Sequence, residues 1–208
     1  MSPTLTRSLR LAMAAYIATA LVGQIAILVS EGTFVWHRFF SYFTVLSNIA
    51  AVVVLTMLAL RPDRDAGPGF ALFRGAVTVY MSVTFLIYVT VLYPQLVDVG
   101  VPEPWIDVAL HVLGPIFIIV DWLVNRPGPK LESGALGIWM IFPAVYLVYT
   151  LTRGPLVDWY PYPIFDPDEQ GGYGGVAVWV LIVAAVLVGF SLTYRWWANR
   201  RRTGLHAA

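Results

Sequence analysis

Apolar residues gather along this chain in six long blocks, at about 11–29, 39–60, 70–92, 106–124, 134–152 and 174–194, with short polar stretches between them. A helix that crosses a bilayer needs about 20 mostly apolar residues, and each block meets that length. The pattern predicts an all-α polytopic membrane protein, a six-transmembrane-helix bundle. It forms a single transmembrane domain over 1–208, because no remainder is long enough for a separate soluble domain. Arg7 and Arg10 precede the first block as they would a signal peptide. Its apolar core is longer than a signal peptide's, and no small-residue cleavage site closes it, so it is expected to span. Neither a sustained heptad nor an internal repeat is visible.

Composition agrees with the pattern. The 208 residues are 59% hydrophobic and 12% charged, against about 25% charged in a soluble domain. The net charge of +1 provides no basic field for nucleic acid. The absence of cysteine removes disulfides, thiolate metal sites and a cysteine nucleophile together.

The placement of cations predicts orientation. If the N-terminus is inside, Arg7, Arg10, Arg61, Arg64, Arg74, Arg126, Lys130, Arg195, Arg200, Arg201 and Arg202 all fall on the cytoplasmic side, and only Arg38 and Arg153 fall outside. That bias is the positive-inside signature, and it predicts a cell-membrane protein with both termini cytoplasmic. The inner connections, 61–69 and 126–134, are short and rich in Pro and Gly. The outer ones, 93–105 and 153–173, are longer. Segment 153–173 holds four prolines and five aromatics (Trp159, Tyr160, Tyr162, Phe165 and Tyr173). It is too Pro-rich for a helix, and is expected to act as a lid over the outer mouth or as an interfacial anchor.

Ionisable and polar residues inside a span are expensive and mark candidate sites. His111 lies about six residues into the fourth block, roughly 9 Å below the interface at ~1.5 Å per residue. Asp107, four residues earlier, shares its helix face and is placed to hold the imidazole tautomer. Asp121, further along, is expected to form an interfacial ion pair near Arg126. In the second block Ser41, Thr44, Ser47 and Asn48 recur at three- and four-residue spacing and so form one stripe. Thr44 and His111 come out at matched depth on helices running the same way. Such a stripe also serves as ordinary helix–helix packing in membranes. Tyr88, Tyr149 and Thr150 lie at a similar level, as oxyanion donors or as an aromatic belt.

Tyr42-Phe43-Thr44-Val45-Leu46 with Ser47-Asn48, the run Pro104-Trp105-Ile106-Asp107 through His111 to Pro115, and Tyr160-Pro161-Tyr162-Pro163-Ile164-Phe165 resemble the androgen-induced gene 1 family of multipass membrane threonine hydrolases, in its bacterial, actinobacterial-type branch. The resemblance extends over nearly all six blocks. It implies an intramembrane lipid-ester hydrolase with fatty acid esters of hydroxy fatty acids as the substrate class. By motif, the family's catalytic Thr and His fall on Thr44 and His111. Asp107 stands where the animal motif has Asn, and Val108 replaces a second His. In that reading Asp107 orients His111; Ser47, Asn48 and Tyr88 contact substrate; and the chemistry needs no cofactor or metal. The partners are membrane lipids or the lipid ester itself.

The alternatives are a non-catalytic multipass scaffold and a small-molecule transporter. A transporter calls for repeats or for broken and charged helices near the midplane. Retinal chemistry is excluded because the single lysine, Lys130, falls in a cytoplasmic connection. A metal hydrolase is disfavoured because His37, His111 and His206 lie at separate levels of the expected topology.

Overall fold

The computed structural model describes residues 2–60, 67–96 and 103–200. The expectations placed on Arg61, Arg64, Arg201, Arg202 and His206 lie outside the described residues. Six long apolar helices, with mean hydropathy between 1.7 and 2.6 over their best windows, make this an all-α multipass membrane protein. They are α1 (Pro3–Ser30), α3 (Phe43–Leu60), α4 (Pro68–Gln95), α5 (Pro104–Val124), α6 (Ala135–Val157) and α7 (Tyr173–Asn199). A single helical turn, α2 (Trp36–Phe39), precedes α3. Among the described residues there is no strand. A backbone in hydrocarbon must satisfy its own hydrogen bonds, and the helix does so within one segment.

Three boundaries differ from the apolar pattern. Helix α1 starts well ahead of residue 11: Ser2 caps it, its Oγ accepting from the Leu5 N–H at 3.2 Å, and Pro3 occupies the first turn. Arg7 and Arg10 are therefore helical. The second span starts at Phe43 rather than 39, because the chain folds back after α2. There the Ser41 hydroxyl donates to the His37 carbonyl at 2.6 Å, and Tyr146 donates to the Ser41 carbonyl at 2.9 Å. Helix α6 continues through Pro155 to Val157, so residues 153–157 of the expected Pro-rich loop are helical. Asp158, in the left-handed region at φ 50°, ends it.

The helices pack around α4. Its best window is 61% buried, against 17% for α7 and 22% each for α1 and α6. One apolar core joins α1, α3 and α5 through Ile17, Leu55 and Ile106; a second joins α4, α6 and α7 through Val79, Trp139 and Leu187.

Two π-helical turns interrupt the ladders, Tyr88–Leu92 in α4 and Ala109–Leu113 in α5. Each ends two residues before a proline, Pro94 and Pro115. A proline ring crowds the carbonyl four residues back and removes an amide donor, so a wider turn relieves the clash. Pro143 sits inside α6 without such a turn; proline permits the widening and packing selects it.

At the end of the bundle that carries the N-terminus of α1, a buried ionic cluster ties three helices together. Arg10 Nε lies 2.9 Å from Asp121 Oδ1, and Arg74 Nη2 lies 3.0 Å from Asp121 Oδ2. All three residues are at most 7% exposed. The expected pairing of Asp121 with Arg126 is thus corrected: Arg126 instead lies over the Trp197 ring at 4.3 Å. Two cations sit against one carboxylate because they also meet helix C-termini, where unpaired carbonyls concentrate negative charge. Arg10 donates to the Leu58 carbonyl at 3.5 Å and Arg74 to the Asp121 carbonyl at 3.0 Å, and Arg7 beside them donates to the Ala59 carbonyl at 2.8 Å.

Candidate functional site

The opposite end of the bundle carries the polar groups singled out in the sequence. His111 sits on the π turn of α5. Its Nδ1 lies 2.9 Å from Asp107 Oδ1 and 3.2 Å from the Asp107 carbonyl oxygen. The Tyr88 hydroxyl donates to Asp107 Oδ2, and the Tyr88 ring stacks on the imidazole at 4.4 Å between centroids and 13° between planes. The expected role of Asp107 in orienting His111 is therefore geometrically available. It occupies Nδ1, which leaves Nε2 as the nitrogen for chemistry. Tyr88, expected to contact substrate, holds Asp107 and covers one face of His111. Because Tyr88 and His111 both lie on π turns, the two widened turns face each other across α4 and α5.

Thr44 lies in the first turn of α3, shallower than a helix beginning at residue 39 would place it. Its N–H donates to Tyr162 Oη at 3.1 Å, and its Oγ1 shares a proton with the same oxygen at 3.2 Å. Burial pushes the Tyr162 phenol up to about 12, while the hydrogen bonds to Thr44 pull the other way. The phenol thus stays neutral near pH 7 and keeps a proton to donate. Among the described residues no hydrogen bond joins Thr44 Oγ1 to His111. The link between them is indirect. Asn48 Nδ2 donates to the Thr44 carbonyl at 2.9 Å and to the Leu110 carbonyl at 3.0 Å, so one amide bridges the backbone of Thr44 to the residue before His111.

This bridge needs α3 and α5 close together. Gly114, just after the π turn, provides the room: a Cβ there would lie 3.3 Å from Asn48 Oδ1 on α3, as well as 3.1 Å from Ile17 Cδ1 on α1 and 2.8 Å from the Ala109 carbonyl oxygen of its own helix. Ser47 and Asn48, also expected at substrate, are buried between helices at 1% and 0% exposure. Neither they nor Tyr88 line the cavity described next. Ser41, the first member of the stripe, shares a proton with Tyr149 at 3.1 Å.

A cavity of about 390 Å³ opens among α4, α6 and α7 beneath residues 158–172. Thr44, Thr84 and Tyr162 are the polar or hydroxyl-bearing residues that line it along with Tyr146; Val83, Met140 and Leu187 are typical of the rest. It has the size and apolar character of a small-molecule site. Residues 158–172 cover it by inserting side chains. Ile164 and Phe165 are 4% and 6% exposed and pack with Tyr146. Trp159 lies between the guanidiniums of Arg38 and Arg153, at 5.3 and 5.6 Å. Gly154 lets this segment fold back, since a Cβ there would collide with the Tyr160 ring. The segment is therefore both anchored at its Trp and seated over the cavity. Sequence reasoning missed Thr84, whose spacing from Tyr88 was the one available signal, and it gave Tyr162 no chemical role.

No family model, curated protein or solved structure matches the chain.

Proposed function

We propose that the protein is a lipid-ester hydrolase working within the membrane, with Thr44 as nucleophile, His111 as general base and Asp107 as the group that orients His111. The observation that carries this reading is that Thr44 lines an apolar cavity and lies on the helix next to a histidine whose Nδ1 is held by a carboxylate. A threonine hydroxyl attacks an ester only when a base takes its proton. In the forward step Thr44 Oγ1 bonds to the acyl carbon, its proton passes to His111 Nε2, and the carbonyl π bond becomes an oxyanion. Collapse breaks the bond to the alcohol oxygen, which leaves with the proton from His111. Water then attacks the acyl-threonine, its proton passing through His111 to Thr44 Oγ1 as the carboxylic acid departs. No cofactor enters either step. Thr44 must exchange Tyr162 for His111 before it reacts. Catalytic hydrogen bonds are often made only in the substrate complex.

The motif resemblance supports the same pair of residues, and fatty acid esters of hydroxy fatty acids are the substrate class it implies. The eleven-to-two distribution of cations supports a cell-membrane location with both termini cytoplasmic, which puts the cavity in the outer leaflet. Membrane lipid is then the source of substrate, and nucleic acid is not a partner.

A second reading, a non-catalytic membrane scaffold, is favoured by one observation: the Thr44 hydroxyl is already bonded to Tyr162 and so fastens residues 158–172 to α3. Purified protein separates the two. Under the hydrolase reading, wild type cleaves medium- or long-chain acyl esters and is labelled by a fluorophosphonate; Thr44→Ala loses both, and Thr44→Ser retains cleavage. A folded Thr44→Ala protein that still cleaves esters eliminates this mechanism, and a wild type with no esterase activity favours the scaffold.

A further inference from the structure

The hydrogen-bond ladder of α5 changes register where the helix carries His111. In an α-helix the Gly114 N–H would donate to the Leu110 carbonyl, four residues back. Here it donates to the Ala109 carbonyl, which makes the π turn. The same shift offers the Leu110 carbonyl to residue 115. That residue is a proline and has no N–H. The backbone of α5 therefore leaves the Leu110 carbonyl without a donor, in a stretch where Ala109 and Leu110 are 0% and 5% exposed. A buried carbonyl with no partner is costly where water does not reach it.

Asn48 on α3 supplies the missing donor. Its Nδ2 donates to the Leu110 carbonyl at 3.0 Å and to the Thr44 carbonyl at 2.9 Å. Both partners are acceptors, so the amide has one workable orientation; turned over, its oxygen would face two other oxygens. That orientation leaves Asn48 Oδ1 buried without a partner, which is unfavourable. Apolar packing between helices does not require it, since a leucine has the same branched shape and leaves no polar atom unpaired. The two bonds made by Nδ2 are what an asparagine adds at this position.

Those bonds bear on the register of α5. The half after Gly114 is fixed by Asp121 to Arg10 and Arg74. If the π turn closed to an α turn, the Gly114 N–H would return to the Leu110 carbonyl. The half before it would then rotate by about 100°, one residue of helix. That half carries Asp107 and His111. The stacking of Tyr88 on the imidazole and the Tyr88 bond to Asp107 would be lost with the rotation.

We propose that Asn48 is a positioning residue: by taking the carbonyl that the π turn and Pro115 leave open, it holds α5 in the register that keeps His111 against Tyr88 and beside the helix of Thr44. The consequence for turnover rests on the hydrolase reading; the register itself does not.

The test compares wild type, Asn48→Leu, Pro115→Ala and the double variant, each as purified full-length protein unfolded by SDS in mixed micelles. Pro115→Ala returns an N–H, so Leu110 finds a main-chain donor in either register without Asn48. Asn48→Leu should raise the unfolding equilibrium constant about 5- to 150-fold in the wild-type background, the effect of one buried carbonyl left unpaired. In the Pro115→Ala background the increase should be at least about fivefold smaller. A second measurement follows the ring signals of His111 by NMR of isotopically labelled histidine, assigned by their absence from His111→Gln. The stacked Tyr88 ring shifts them upfield in wild type, and Asn48→Leu should move them toward the values of free histidine. An equal effect of Asn48→Leu in both backgrounds, as simple helix packing requires, or unmoved His111 signals in the folded variant, overturns the proposal. If Asn48→Leu does not fold, Asn48→Ala, which cannot overpack, replaces it in both measurements. Neither measurement needs turnover, so a wild type without esterase activity defeats the hydrolase reading and not this one.

Discussion

Replacing Asp121 should test the packing of the bundle most directly. Its carboxylate meets Arg10 through both oxygens, at 2.9 and 3.2 Å, and Arg74 at 3.0 Å; Asn125 also donates to it at 2.9 Å. Arg10 and Arg74 are 6% and 2% exposed, so water cannot replace the lost partner. Asp121→Ala leaves two guanidiniums buried beside each other, for which a loss of about 3–5 kcal/mol is expected. Asp121→Asn keeps the volume and one acceptor but not the charge; the loss of charged hydrogen bonds should cost about 1.5–3 kcal/mol. A domain has about 5–15 kcal/mol in total, so the alanine variant should lose a large fraction of its stability. Arg126→Ala should cost only about 0.5–1 kcal/mol, the value of an exposed cation–π contact. Unfolding in mixed micelles by increasing SDS, followed by tryptophan fluorescence, gives the three free energies. The account of the cluster is wrong if Asp121→Asn stays within about 0.5 kcal/mol of wild type, or if Arg126→Ala is the more damaging change.

Three further outcomes are expected. Under the hydrolase reading, Asp107→Asn should lower kcat by about 10- to 100-fold, or 1.4–2.7 kcal/mol of barrier, and Tyr88→Phe should lower it less, because Asp107 keeps its contact with His111; a Tyr88→Phe effect larger than that of Asp107→Asn would reverse their order of importance. Gly114→Ala should destabilise by about 1–3 kcal/mol through overpacking of a site where Ala109, Ile17 and Asn48 already converge, and a melting temperature equal to wild type would contradict the close approach of α3 and α5. Reporter fusions after residues 128 and 165 should read cytoplasm and exterior respectively; an exterior signal at 128 would invert or break the proposed orientation.

The comparison of sequence with structure divides by range. Six spans and an all-α architecture were legible because both are local properties: a run of about 20 apolar residues commits a segment to the bilayer, and the bilayer commits its backbone to helix. The contact of Asp107 with His111 was legible for the same reason, since four residues apart on a helix means one face. The helix boundaries at Pro3 and Phe43 were less so, because a capping serine and a backward turn at Ser41 moved them without changing the apolar pattern. What the sequence left undecided is everything that joins distant helices. Asp121 pairs with Arg10, 111 residues away, and Thr44 with Tyr162, 118 residues away, and no periodicity encodes a partner at that separation. The nearest cation to Asp121 in sequence, Arg126, lies beyond the end of α5 and over the Trp197 ring instead. The cavity likewise exists only once α4, α6 and α7 are assembled under residues 158–172. Chain order and apolarity determined what crosses the membrane; side-chain volumes at Gly114 and Gly154, and the buried charges at Asp121, decided which helices meet and which polar groups are left facing the space between them.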